Sequence, residues 1–263
     1  MLFGLNFILK KGLLWIKQEL LLTVRSNRFV EIDALRGIAV LAMVAFHALF
    51  DYNFLVAPRF DLYTGPVFWL GRVAAVLFVG LFGASLFLRV HRKHLDGFAL
   101  VKDFVVRGVW LFVLGLVLTV VSFLLFPEYT IWFGVLHFLG VASVLSILLV
   151  RRPALAGALG ALIALFGIWL SVVSLQLPFW IPLLPVSFAT FDFFPLFPWL
   201  GVVWLGIALG SFAYSNGNRS FREPAWNSSV VVQCLAWSGR RSIWIYFFHQ
   251  PTLALWLFIF FGA

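Results

Sequence analysis

Arg36 and His47 stand eleven positions apart in a stretch that is otherwise mostly apolar. On a helix they differ in direction by about 20°, so they share one face, three turns and roughly 16 Å apart. Asp51 follows His47 at i+4, within reach of its ring, and Asp33 precedes Arg36 by three, the spacing of an ion pair. A face with a cation at one end and a His–Asp pair toward the other suits proton transfer, with the imidazole as base and the carboxylate orienting it. Inside a membrane span, each such side chain costs roughly 2.5–3.5 kcal/mol on insertion scales, which makes it a functional candidate by default. The plainer readings stay open: Asp33–Arg36 as a helix-start ion pair, and His47 as a packed, hydrogen-bonded residue.

Further polar residues recur at compatible depths. Arg72 and His137 each lie a few residues inside an apolar run, and Asp192 sits at the lip of another, seven residues before Trp199. Ser242, Tyr246 and His249 fall on one helical face. Arg72 could equally neutralise Asp51 or Asp192, and His137 and His249 could serve interhelical hydrogen bonding. Three histidines raise a haem or metal reading, but no pair combines matched depth with the two-per-helix arrangement a membrane cytochrome needs, and with a lone cysteine, Cys234, thiolate ligands are missing. No metal is therefore expected. The segment from Pro178 to Trp199 is dense in proline and aromatic residues, either an interfacial belt or a lip that offers ring faces to a sugar-like acceptor.

The elements that position these residues are membrane helices. The chain has 263 residues, of which 63% are hydrophobic and 11% charged, with a mean hydropathy of +1.05. A soluble domain would show roughly 45–50% apolar and 25% charged residues. The apolar runs predict an all-α bundle of about seven spans, near 33–55, 66–88, 104–126, 130–150, 154–175, 194–213 and 240–261. With alternating spans, Arg89, Arg92, Lys93, Lys102, Arg107, Arg151, Arg152, Arg219, Arg222, Arg240 and Arg241 share a side with Lys10, Lys11, Lys17, Arg25 and Arg28. That side is cytoplasmic by the positive-inside rule, which places the N-terminus there. The +9 net charge thus reads as topology and headgroup contact, and nucleic acid is not an expected partner. In residues 1–27, Asn6, Lys10, Lys17 and Gln18 share one helical face, which predicts an amphipathic helix lying in the interface. Lys10 and Lys11 split the apolar stretch, and no cleavage site follows, so a signal peptide is not expected. Residues 28–263 form the transmembrane domain, and a homo-oligomer is left open.

Four motifs in register carry a resemblance: Arg28-x4-Asp33-x2-Arg36-Gly37-x5-Met43-x3-His47, the segment Gly134 to Gly140 around His137, the segment Asp192 to Gly201 around Trp199, and Gly239-Arg240-x-Ser242-x3-Tyr246-x2-His249-Gln250-Pro251. Together they resemble the heparan-alpha-glucosaminide N-acetyltransferase catalytic-domain family in its short prokaryotic form, over about residues 28–260. The Arg36-x10-His47 spacing also looks like that of the wider transmembrane acyltransferase superfamily. The resemblance implies transfer of an acetyl group from cytoplasmic acetyl-CoA to an amino or hydroxyl group of a sugar-like acceptor on the far side. It implies that Arg36, Arg240 and Arg241, with Asp33, Ser242, Tyr246 and His249, meet acetyl-CoA. His47 is then the base, oriented by Asp51, while Arg72 or His137 steadies the thioester oxyanion and Asp192 and Trp199 meet the acceptor. The rival from another class is a proton-coupled transporter or flippase using Asp33, Arg36, His47 and Asp51 as a relay. The matched halves and broken helices common in transporters are not seen in the sequence.

Overall fold

The computed structural model describes residues 28–173 and 189–262. The segment 1–27, expected to be an amphipathic helix, and residues 174–188 of the proline-aromatic stretch therefore lie outside the described residues. Among the described residues there are eight α-helices: α1 Val30–Leu55, α2 Gly65–Arg92, α3 Gly97–Leu125, α4 Val135–Leu145, α5 Pro153–Val173, α6 Leu196–Ala213, α7 Val230–Arg240 and α8 Ser242–Phe261. Six of them, α1, α2, α3, α5, α6 and α8, are long and apolar enough to cross a membrane, so the chain is a multi-pass membrane protein. Among the described residues the backbone forms no strand beyond one isolated bridge, Phe133 to Phe193.

The helices fall into two compact units, residues 28–78 with 223–262, and residues 79–222. The first is built on α1, which packs against α7 and α8. Small residues set the closest approach there. A Cβ on Gly239 would lie 1.8 Å from the Asp33 carbonyl oxygen, and one on Gly37 would lie 2.0 Å from that of Leu235. Only glycine at both positions lets α7 lie backbone to backbone against the start of α1. Asn227, just before α7, donates to the Glu31 carboxylate at 3.1 Å and to that of Glu223 at 3.3 Å, which ties the same end together.

In the second unit, α3 turns Leu100, Phe104, Gly108, Leu111, Gly115 and Ser122 inward at helical spacing, while Trp110, Val113, Leu116 and Val120 are exposed. The inward stripe packs on α4, and α5 packs on α6. The fourth expected span differs from expectation. It holds an α-helix of 11 residues and a 3-10 turn of 3, about 21–23 Å of rise, short of the roughly 30 Å hydrocarbon core. Extended backbone around 129–134 makes up part of the path, and its polar groups are satisfied inside the protein. Ser122 Oγ accepts from the N–H of Ile131 at 3.0 Å, and Thr119 Oγ1 donates to the Ile131 carbonyl at 2.6 Å. The N–H of Phe191 reaches the Tyr129 carbonyl, and that of Phe194 the Phe133 carbonyl. Non-helical backbone at membrane depth is tolerated on this condition.

Several basic residues meet at one end within each unit. Asp103 holds Arg89 and Lys93, and Arg151 donates to the Leu95 carbonyl at 2.6 Å, so the turns before α3 and after α4 share one end. In the first unit Arg28 and Arg36 flank Asp33, at the level where Gly239, the neighbour of Arg240, touches the Asp33 backbone.

Candidate active site

The polar residues of the first unit form two rungs between α1 and α8. On the first, the rings of His47 and His249 lie 4.8 Å apart at 69°. His47 Nδ1 donates to the Met43 carbonyl at 2.9 Å, and His249 Nδ1 to the Tyr246 carbonyl at 2.6 Å. A carbonyl oxygen can only accept, so both Nδ1 atoms carry the hydrogen and both Nε2 atoms keep a bare lone pair. His249 is buried, and its Nε2 has no hydrogen-bond partner. Phe46 abuts the His47 ring edge-on at 5.6 Å. Pro251 lies inside α8 two residues beyond His249 and withholds a backbone N–H from the helix there.

One turn further along α1 is the second rung. Gln250 Nε2 donates to Asp51 Oδ1 at 3.3 Å. Asp51 is buried, and Asp51 Oδ2 and Gln250 Oε1 are both enclosed without a partner. The expected His47–Asp51 hydrogen bond does not form: an α-helical carbonyl one turn back, that of Met43, captures the ring nitrogen, and Asp51 turns to α8. Gln250 was not anticipated. The only signal for it was its place beside His249 in the last motif, because a contact with Asp51 across 199 positions has no local signature.

At the other end of α1, Arg36 donates to Asp33 at 2.8 Å, and the Arg28 guanidinium is 4.0 Å from the second oxygen of the same carboxylate. Arg241 lies over the Trp237 ring at 4.3 Å. Ser242 is buried where α8 begins, and the Tyr246 ring is 5.6 Å from that of His249. Arg36, Arg240 and Arg241 are thus gathered at one end, with His47 about 16 Å along α1. Arg72, on α2, is exposed and lies over Phe68 at 5.1 Å. Its neighbour Gly71 packs on the Phe46 ring, where a Cβ would come within 2.8 Å, so Arg72 stands near the level of His47.

His137, Asp192 and Trp199 belong to the second unit and are engaged there. His137 is fully buried, accepts from the Gly134 N–H at its Nδ1, and points Nε2 at Thr119 Oγ1. Its tautomer is the reverse of the other two. Its ring stands edge-on to Phe112 and stacks with Phe133, in space that a side chain at position 115 would fill. Asp192 Oδ2 accepts from the N–H of Val135 at 2.8 Å, at the N-terminus of α4 where a negative charge is favoured. Trp199 is buried against Phe194 at 4.7 Å.

Comparison with curated proteins and with solved structures found no match to this chain. The sequence profile described as "Heparan-alpha-glucosaminide N-acetyltransferase, catalytic" matches residues 28–251, most of the chain. The order Asp33, Arg36, His47, His137, Asp192, Tyr246, His249 runs through the whole of that match, and the chain belongs to the heparan-alpha-glucosaminide N-acetyltransferase catalytic family.

Proposed function

We propose that this protein is an integral-membrane acetyltransferase that takes the acetyl group of cytoplasmic acetyl-CoA and delivers it to an amino or hydroxyl group of a sugar-containing acceptor on the outer side. The observation that carries this reading is the buried, partnerless Nε2 of His249 in ring contact with His47. Two imidazoles with Nδ1 committed to backbone carbonyls are pre-set as proton acceptors at Nε2.

Arg36, Arg240 and Arg241 supply guanidinium groups for the phosphates of the donor, a geometry suited to bidentate contact. Asp33 fixes Arg36. From that end the pantetheine arm runs along the helices toward His47, past Ser242 and Tyr246. His47, with His249 beside it, takes the proton of the acceptor as its nitrogen or oxygen attacks the thioester carbonyl carbon. The C–S bond then breaks, and the leaving sulfur is protonated from the imidazolium. Arg72 is the cation we assign to the thioester oxyanion, and His137 we assign to packing. The basic ends face the cytoplasm in this reading.

The test is a reconstituted preparation given labelled acetyl-CoA and a mixture of amino- and hydroxyl-bearing sugars. Wild type should bind CoA and transfer label, while His47→Ala and His249→Ala should each fall roughly 100- to 10,000-fold in rate with CoA binding retained. Absence of CoA binding by calorimetry, with proton flux across proteoliposomes, would favour the transporter instead.

A further inference from the structure

Asp51 and Gln250 present a chemical problem that acid–base work by the histidines leaves unsolved. The Asp51 carboxylate is buried, no Lys or Arg among the described residues pairs with it, and its one hydrogen bond comes from a neutral amide. Two oxygens of this hydrogen-bonded pair of side chains, Asp51 Oδ2 and Gln250 Oε1, are enclosed with nothing to accept from. Burying a carboxylate without a cation, and acceptors without donors, is costly.

We propose that Asp51 and Gln250 seat the acceptor's primary ammonium, and that this charge, rather than a sugar ring, is what the site recognises; this rests on the acetyltransferase reading above. An ammonium brings one positive charge and three donor hydrogens, enough for both bare oxygens. A hydroxyl brings one donor and no charge, and leaves an oxygen unfilled. The adjacent rung fits the same chemistry. In the reaction R–NH3+ plus acetyl–S–CoA giving R–NH–acetyl, HS–CoA and H+, nitrogen loses two protons. One leaves before attack, freeing the lone pair, and one leaves after the C–N bond forms and the C–S bond breaks. One of the two ends on the CoA sulfur and the other is released. His47 and His249 offer one bare Nε2 for each, whereas a hydroxyl acceptor loses a single proton and needs one base. Asp192 and Trp199, the residues expected to read a sugar, are taken up by the N-terminus of α4 and by Phe194.

The experiment uses the full chain in nanodiscs with labelled acetyl-CoA and three probes: D-glucosamine, D-glucose and ethanolamine. Both amines should be acetylated, with one proton released per acetyl group, and glucose should be at least about 100-fold slower. In Asp51→Asn, KM for both amines should rise about tenfold or more, with CoA affinity unchanged as the check on folding. Asp51→Glu should recover part of the loss, and Gln250→Ala should raise KM in the same direction. Glucose used as well as glucosamine, an inert ethanolamine, or an unchanged KM in both Asp51→Asn and Gln250→Ala would overturn the ammonium seat while leaving acetyl transfer standing. If no probe is acetylated, thermal stabilisation decides. Stabilisation by both amines but not by glucose, lost in Asp51→Asn, supports the seat even as the acetyltransferase reading fails, and its absence overturns the seat as well.

Discussion

At the scale of the residue, the three membrane histidines are sorted by which nitrogen the backbone claims. His47 and His249 give Nδ1 to carbonyls and keep Nε2 bare, whereas His137 accepts at Nδ1 from the N–H of Gly134. The sequence placed all three in apolar runs and had no means of separating them, because the partner atoms are set by local helix geometry and by neighbours far along the chain. The difference predicts opposite phenotypes. His137→Ala should lower thermal stability by about 1–2 kcal/mol through lost packing and interhelical contact, and leave kcat and KM of the folded fraction close to wild type. A scanning fluorimetry curve and a rate assay on one preparation would check both. His249→Ala should do the reverse, with activity lost and the melting temperature little changed.

At the scale of the element, the two short helices are what the sequence least revealed. Residues 130–150 carry enough hydrophobicity for a span, but Pro127 and Gly134 keep the first part non-helical, and only the zipper between 129–134 and 190–194 makes that path affordable in lipid. The α7 helix, with 11 residues and a polar face, carries no span signature at all. Its role is to bring Arg240 and Arg241 to the Arg36 end, and it does so through Gly37 and Gly239. Gly239→Ala should therefore force α7 off α1, because its methyl would meet the Asp33 backbone at 1.8 Å. The expected result is a large drop in folded yield and weaker CoA binding in what folds. The loop between α1 and α2 gives a milder test. The Thr64 hydroxyl and the N–H groups of Tyr63 and Thr64 donate to Asp61 and hold its carboxyl below the usual range. A depressed pKa means the contribution is present above the ordinary carboxylate range and fades as pH falls through the lowered value. Hydrogen exchange across 61–64 should accelerate only in that acid window, and Asp61→Ala should show fast exchange at every pH.

At the scale of the whole molecule, charge is the organising quantity. Cys234 is the lone cysteine and is exposed on α7, so the native chain reports its own topology. With basic ends inward, a membrane-impermeant maleimide should leave Cys234 unlabelled in intact cells and label it once the membrane is opened. Labelling of intact cells would invert the orientation. Arg36→Ala should weaken CoA binding by roughly 10- to 100-fold, and wild-type affinity should fall with added salt.

What the sequence determined by itself follows from composition and short-range periodicity: an all-helical membrane chain, the sorting of its basic residues, the shared face of Arg36 and His47, and four motifs whose order carries the family. These need only a residue and its near neighbours along a helix, and lipid enforces them on any fold. Only the tertiary structure decided that His249 meets His47, that Asp51 turns to Gln250 rather than to His47, and that Asp192 and His137 serve the start of α4. The His47–His249, Asp51–Gln250 and Asp192–Val135 contacts join segments far apart in the chain. Each depends on which two backbones pack together, and that pairing is not written in either segment alone.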